Sequence, residues 1–225
     1  MSEPKLETLD RDGALREALD AVPASTRRVF LAGAGAGATL LAALARPDAA
    51  SAASAGDREI LNFALTLEYL QAAFYTETER LGAVGGRLAR VPRQLGAVER
   101  AHVDAIRKVL GREAVKRPSF NFQGTTEDAT AFLRTAVAFE DLAAAAYKAQ
   151  APRIDSPAIL TAAIAIHSVE ARHAAWMRYL VGKRPAASAF DAAKSQREVG
   201  EIVASTRFIS AAPRRTGRGK PRFTG

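Results

Sequence analysis

Two Glu-x-x-His pairs carry the residue types and spacing in this chain that suit metal chemistry: Glu99 with His102, and Glu170 with His173. Residues three apart lie on the same face of a helix, so each pair can direct a carboxylate and an imidazole to one point. Single pairs of this kind are common on helix surfaces. These two, however, use two of the three histidines in the chain, and a valine precedes the glutamate in both.

Two further glutamates lie inside apolar stretches and repeat in the same way. Glu68 occurs in FALTLEYLQAAF and Glu140 in TAVAFEDLAAAA, and each is followed seven residues later by a tyrosine, Tyr75 and Tyr147. The first half of the chain therefore matches the second at a period of about 70 residues, which indicates a duplicated helical hairpin.

Four carboxylates gathered in an apolar interior repel one another and lose hydration, at a cost of several kcal/mol each. Two divalent cations offset four negative charges, and two Glu-x-x-His pairs with two single glutamates are the ligand list of di-iron and di-manganese carboxylate bundles. The sequence predicts two iron or manganese ions held by Glu68, Glu99, His102, Glu140, Glu170 and His173. We expect Glu99 and Glu170 to bridge the ions, with Glu68 and Glu140 as terminal ligands.

Two alternatives to this metal site stay open. The glutamates can be surface residues paired with Arg100 and Arg172, although each arginine falls between the two members of a pair and so on another helix face. A bundle that kept the pattern and lost the metal is the other alternative. His167 is expected to lie beside the ligands or merely to pack, since its face diverges from that of His173.

Composition favours an all-α protein. The chain has 225 residues, no cysteine and 48% hydrophobic residues, many of them the strong helix former alanine. Helical periodicity, capping residues and breakers predict a ferritin-like up-down four-helix bundle made of two duplicated hairpins, with a crossover loop over Gly111–Thr125. The predicted helices are Asp57–Leu81 with Asp57 as its cap, Val91–Leu110, a third from about Thr126 to Gln150 with Glu127 and Asp128 in its first turn, Pro157–Leu180, and an outer helix within 188–204.

The first 55 residues have the layout of an export signal. Arg27 and Arg28, with Phe30 and Leu31, resemble the twin-arginine motif, and an apolar stretch and small residues suited to cleavage near 52–55 follow. The apolar stretch is shorter than a bilayer span of about 20 residues, which disfavours a membrane helix. We therefore expect the twin-arginine export machinery as a partner, and an exported protein of a bacterium with a periplasmic or extracellular location.

Residues 56–205 are predicted to form the bundle, and residues 206–225 a basic, disordered tail. The chain has a formal net charge of +8. The tail is expected to be solvated or to touch an anionic surface. Export makes nucleic acid an unexpected partner, and a homo-oligomer remains open.

The helix sequences also resemble a known group, the bacterial ferritin-like domain family of exported proteins, which is related to the plant desiccation-related proteins. The resemblance rests on ILNFALTLEYLQAAFY, the Glu-x-x-His of the second helix, PSFNF, AVAFEDLAAAAY and IHSVEARHAAWMRYLVG. It implies the bundle and a di-metal centre. In similar sequences acidic residues often stand at the positions of Gln71 and Ala73, and this departure leaves Glu68 as the clear ligand of the first helix.

Two function classes fit these residues. The first is a di-iron or di-manganese oxidoreductase of the ferroxidase, peroxidase or catalase type, acting on dioxygen, peroxide or ferrous iron. In it Tyr75 and Tyr147 are redox-active or hydrogen-bonding neighbours, or simply core aromatics with a polar tip. The alternative is a non-catalytic metal-buffering or stress and desiccation protein whose metal site is structural or vestigial.

Overall fold

The computed structural model describes residues 53–210, so the predicted twin-arginine region before Ala53 and residues 211–225 lie outside the described residues. Within the described range the chain forms five α-helices, three short 3-10 turns and one two-stranded antiparallel sheet. The helices are α1 (Ala55–Leu81), α2 (Val91–Leu110), α3 (Ala129–Gln150), α4 (Pro157–Leu180) and α5 (Gln196–Thr206), and the strands are β1 (Ser119–Phe120) and β2 (Ile209–Ser210).

The predicted four-helix bundle is confirmed, with α1 packed along α2 and α3 packed along α4. Tyr75 of α1 bonds Glu140 of α3, whereas Glu68 bonds Tyr147, so α1 and α3 run in opposite directions. Because short connections make each hairpin antiparallel, α2 and α3 run the same way. The segment 111–128 must therefore return along the bundle, as the crossover of the predicted fold requires.

Two predicted helix starts are wrong by a few residues. The N-cap of α1 is Ser54 and not Asp57; Asp57 is the third helical residue and returns a bond to Ser54 in a capping box. The N-cap of α3 is Asp128, whose side chain accepts from the backbone N–H of Ala131, so Glu127 and Asp128 precede the helix and are not in its first turn.

Asp57 has a larger role than capping one helix. Its carboxylate is completely buried and accepts the backbone N–H groups of Asp155 at 2.8 Å, Ser156 at 3.1 Å and Ser54 at 3.3 Å. Ser156 is in turn the N-cap of α4. One carboxylate therefore fastens the start of α4 to the start of α1, the two helices that carry Glu170 and Glu68.

The prediction of a disordered tail from residue 206 is wrong for its first residues. Thr206 ends α5, Phe208 is buried, and Ile209–Ser210 pairs with Ser119–Phe120 of the crossover segment. The predicted outer helix exists, but it begins at Gln196 and runs to Thr206.

Phenylalanine rings fill the bundle around the C-terminal half of α1 and the N-terminal half of α3. Neighbouring ring centroids lie 5.0–6.0 Å apart, within the range of favourable aromatic pairs. The rings belong to Phe74, Phe120, Phe122, Phe132, Phe139 and Phe208.

Between residues 53 and 210, no helix combines the length and apolarity needed to cross a bilayer.

Replacement of Asp57 by alanine tests the fastening of α1 to α4. It leaves buried backbone donors without an acceptor, so we expect a loss of about 3 kcal/mol or more in unfolding free energy. Ser54→Ala removes the N-cap and one exposed hydrogen bond to Asp155, and should cost about 1 kcal/mol. Asp104, an exposed residue of α2, is the matched control. Equal denaturation midpoints for Asp57→Ala and Asp104→Ala would contradict the assignment.

Candidate metal centre

The four predicted glutamate ligands lie side by side at mid-length of the bundle, one on each of α1 to α4. Their side chains are completely buried, and the two predicted histidine ligands are about nine-tenths buried. The structure thus brings all six predicted ligands together in one cluster: Glu68, Glu99, His102, Glu140, Glu170 and His173.

Both imidazoles turn their Nδ1 atoms towards the carboxylates. Nδ1 of His102 lies 3.1 Å from Oε1 of Glu170 and 3.3 Å from Oε2 of Glu68. Nδ1 of His173 lies 3.1 Å from Oε1 of Glu99 and 3.4 Å from Oε2 of Glu140. Each histidine therefore faces the other hairpin as well as its own, which ties the two halves of the duplication at one point.

The cluster divides into two groups of four residues whose donor atoms lie within 4.8 Å of one another. One group contains Glu68 and His102, and the other contains Glu140 and His173. Glu99 and Glu170 belong to both. This division is the one expected if those two glutamates bridge a pair of ions.

The donor atoms fit a metal better than they fit each other. Oε1 of Glu99 and Nδ1 of His173 are in contact distance, yet neither has a hydrogen-bond partner among the described residues, since the N–H and lone-pair directions do not align. One oxygen on each of Glu68, Glu140 and Glu170 is likewise buried, within 3.4 Å of a histidine Nδ1 but without a hydrogen-bond partner among the described residues. Buried acceptors of this kind are costly unless a cation satisfies them.

Tyr75 and Tyr147 hold the outer carboxylate oxygens, and each does so across the hairpins. The hydroxyl of Tyr147 donates to Oε1 of Glu68 at 2.5 Å, and that of Tyr75 donates to Oε1 of Glu140. Burial raises the pKa of both phenols well above the ordinary value, and the facing carboxylate adds to the effect. The tyrosines therefore stay protonated donors to the outer oxygen of each glutamate, while the second oxygen faces a histidine Nδ1.

Sequence reasoning named Gln71 only as a departure from similar sequences, and it missed Gly96. Nε2 of Gln71 lies 3.4 Å from Oε2 of Glu170, a contact that the i, i+3 spacing from Glu68 could have suggested. Gly96 allows α2 to approach α1, because a Cβ atom there would lie 3.0 Å from Cβ of Tyr75. Nothing in the local sequence identifies Gly96 as a contact point.

His167 lies outside the cluster. It belongs to neither group of donors, and its half-buried ring has an Nδ1 atom with no hydrogen-bond partner among the described residues. His167 therefore has no described bond to a ligand. Of the two roles expected for it, a neighbour of the ligands or a packed residue, its position fits the packed residue.

A family comparison agrees with the geometry. The model of the ferritin-like domain matches residues 56–183, which is more than half of the chain and includes all four bundle helices. The chain belongs to the ferritin-like domain family. No curated protein matches the chain. The match ends before α5, so the outer helix and β2 are additions to the part that the family model describes.

Without metal, the carboxyl groups of this ferritin-like site differ in their affinity for protons. Burial raises the pKa of Glu170 well above the ordinary range, and the charge of Glu99 adds to it. Burial likewise raises the pKa of Glu99 to about 7. Burial also opposes ionisation of Glu68, but the adjacent His102 outweighs it and lowers the pKa of Glu68.

The imidazoles of the ferritin-like site hold their protons strongly. Burial alone would lower the pKa of His173, but the contacts with Glu140 and Glu99 outweigh it and raise the pKa to about 10. The negative charge of Glu68 similarly opposes the effect of burial on His102, and the pKa of His102 is raised well above its ordinary value. Protons on the imidazoles thus replace part of the positive charge that metal ions would bring.

Metal binding should release protons from this site. At pH 6 the four groups with raised pKa (Glu99, His102, Glu170 and His173) hold protons that two ions must displace, so we expect release of roughly four protons per chain. Affinity should therefore rise with pH between 6 and 8. Anaerobic titration of the metal-free protein with ferrous or manganous ion in a pH-stat counts the protons. Release of none would mean that the ligands are already deprotonated.

Proposed function

We propose that the chain is a di-iron or di-manganese carboxylate protein that carries out redox chemistry on dioxygen, peroxide or ferrous iron. The observation that carries the proposal is the pair of four-donor groups that share Glu99 and Glu170 at the buried centre of the bundle. Two ions sharing two carboxylates lie close enough to act on one small molecule.

The donor set favours iron or manganese. Four carboxylates and two imidazoles supply only oxygen and nitrogen, and the chain has no cysteine to offer a soft thiolate. Oxygen-rich sites with some imidazole suit iron and manganese, whereas thiolate and thioether ligands select copper(I) and zinc. In each half-site one ion would be held by a histidine, a terminal glutamate and both bridging glutamates.

The residues of the chain prepare the site for this chemistry. When bound, the two ions would supply electron transfer to or from the small molecule. Tyr75 and Tyr147 orient the terminal carboxylates, and Gln71 orients Glu170. The complete burial of the carboxylates excludes bulk water, which strengthens every electrostatic interaction inside.

Metal content and turnover test the proposal together. Glu170→Ala removes a bridging ligand, so we expect loss of one ion and loss of turnover with dioxygen, peroxide or ferrous iron. Glu68→Ala removes a terminal ligand and should leave one ion bound, more weakly. Glu79→Ala, which changes an exposed residue of the same helix as Glu68, is the control and should match the wild type.

Elemental analysis and stopped-flow absorption measure these two properties. Two bound ions without turnover on any of the three substrates would reject the redox proposal. That result would favour the alternative of a metal-buffering or stress and desiccation protein with a structural site.

We also propose that the protein is exported by the twin-arginine machinery and acts outside the cytoplasm of a bacterium. The support is the sequence of residues 25–55, with Arg27 and Arg28 before an apolar stretch and small residues. That route carries folded proteins, so the site would be filled before export. Changing both arginines to lysine should keep the protein in the cytoplasm, and normal export of that variant would overturn the proposal.

We further propose that the C-terminal residues of the chain contact an anionic surface. The basic residues after Ser210 suit contact with an anionic surface such as lipid headgroups or an acidic cell-surface polymer. Sedimentation in the presence and absence of anionic vesicles tests this contact, and unchanged sedimentation would exclude it. We propose no nucleic-acid partner.

A further inference from the structure

A groove of about 840 Å³ opens on the surface between α1 and α5. Most of its walls are apolar, and its lining includes Phe63, Leu67, Val199, Val203 and Ile209. Its volume is within the range of small-molecule sites. The family model ends before α5, so this wall of the groove belongs to the part of the chain that the model does not match.

Behind the groove lie small cavities that share its walls. Phe63 and Leu67 also line a cavity of about 20 Å³ that reaches Tyr147. A second cavity of about 20 Å³ shares Leu61, Tyr147 and Ala163 with the first. Each is large enough for one molecule of the size of water, which needs roughly 10–15 Å³ by this measure.

The cavities end at residues that touch the metal ligands. Tyr147 bonds Oε1 of Glu68, so the first two cavities end one hydrogen bond away from a terminal glutamate. A third cavity of about 10 Å³ is lined by Leu67 and Gln71, and Gln71 contacts Glu170. Phe63 and Leu67 line both the groove and the first cavity, so they form the boundary between the two.

In the other half of the duplication, aromatic rings pack around Tyr75. Tyr75 is completely buried, with the ring of Phe74 at 5.4 Å and that of Phe132 at 6.0 Å. None of these three residues lines the groove or the three cavities just described. The two tyrosines make equivalent bonds to glutamates, but the groove and cavities described here lie beside Tyr147.

We propose that the groove and its cavities form an entry path to the half-site of Glu68 and His102. The molecule that enters is small, uncharged and apolar, as dioxygen is. The proposal rests on the function proposed above and names the substrate for which this path is suited. The residues that line the two cavities beside Tyr147 are aliphatic or aromatic, apart from Gln150 in the first cavity. A divalent cation would lose its hydration shell there without replacement, so ferrous iron needs another route.

Xenon tests the path without any reaction, because this apolar atom occupies dry cavities in protein crystals. In crystals of the metal-loaded protein under xenon pressure, we expect xenon density in the groove and in the two cavities that share Leu61, Tyr147 and Ala163. Absence of xenon between the groove and Tyr147 would overturn the path.

Two variants change the path in opposite directions. Ala163→Leu fills the wall common to both cavities, so xenon there should disappear, and the reduced centre should react with dioxygen several-fold more slowly at unchanged metal content. Phe63→Ala removes the half-buried partition below the groove and should increase both xenon occupancy and the rate. Ala136→Leu is the control for overpacking, because Ala136 is completely buried on α3 and lines none of these cavities.

The outcomes separate the path from the proposed function. A wild-type reaction rate in Ala163→Leu, with metal bound, would overturn the path and leave the redox function intact. If the wild-type protein binds metal but does not react with dioxygen, the proposed redox function with dioxygen as substrate is rejected. In that case the xenon positions alone decide whether the cavities connect.

Discussion

The burial of four carboxylates in an apolar interior is the constraint on which the rest of the molecule depends. Each buried carboxylate costs several kcal/mol unless its charge is offset. Two histidines supply part of the opposite charge, and the four carboxylate oxygens that face them without a hydrogen bond converge as a metal site requires. The four helices must therefore hold their glutamates at one level, which explains why the duplicated hairpins face each other across the centre.

Buried polar groups away from the cluster keep the helices in that position. The cross-hairpin bonds of Tyr75 and Tyr147 fix the relative height of α1 and α3, and Asp57 fixes the starts of α1 and α4. The duplication is nevertheless unequal outside the ligands. Gln71 contacts Glu170, whereas the corresponding residue of the second hairpin is Ala143. The cluster of Phe74, Phe132 and Phe139 lies on the Tyr75 side of the centre.

Local spacing explains how much of the structure the sequence predicts. The i, i+3 pairs and the apolar setting of Glu68 and Glu140 predict both the four helices and the cluster, because helix periodicity determines which side chains share a face. What the sequence did not predict depends on contacts between distant segments. Asp57 is drawn into the bundle by backbone groups near residue 155, and Ile209 pairs with the crossover segment. The groove likewise arises from how α5 packs against the bundle.

The number of metal ions per chain tests the central claim most directly. The protein should be purified from its native compartment, or reconstituted anaerobically with ferrous or manganous ion, and its ions counted by elemental analysis and located by anomalous diffraction. The account predicts two ions per chain, one beside His102 and one beside His173, with Glu99 and Glu170 between them. One ion, or none, at saturating metal would contradict it.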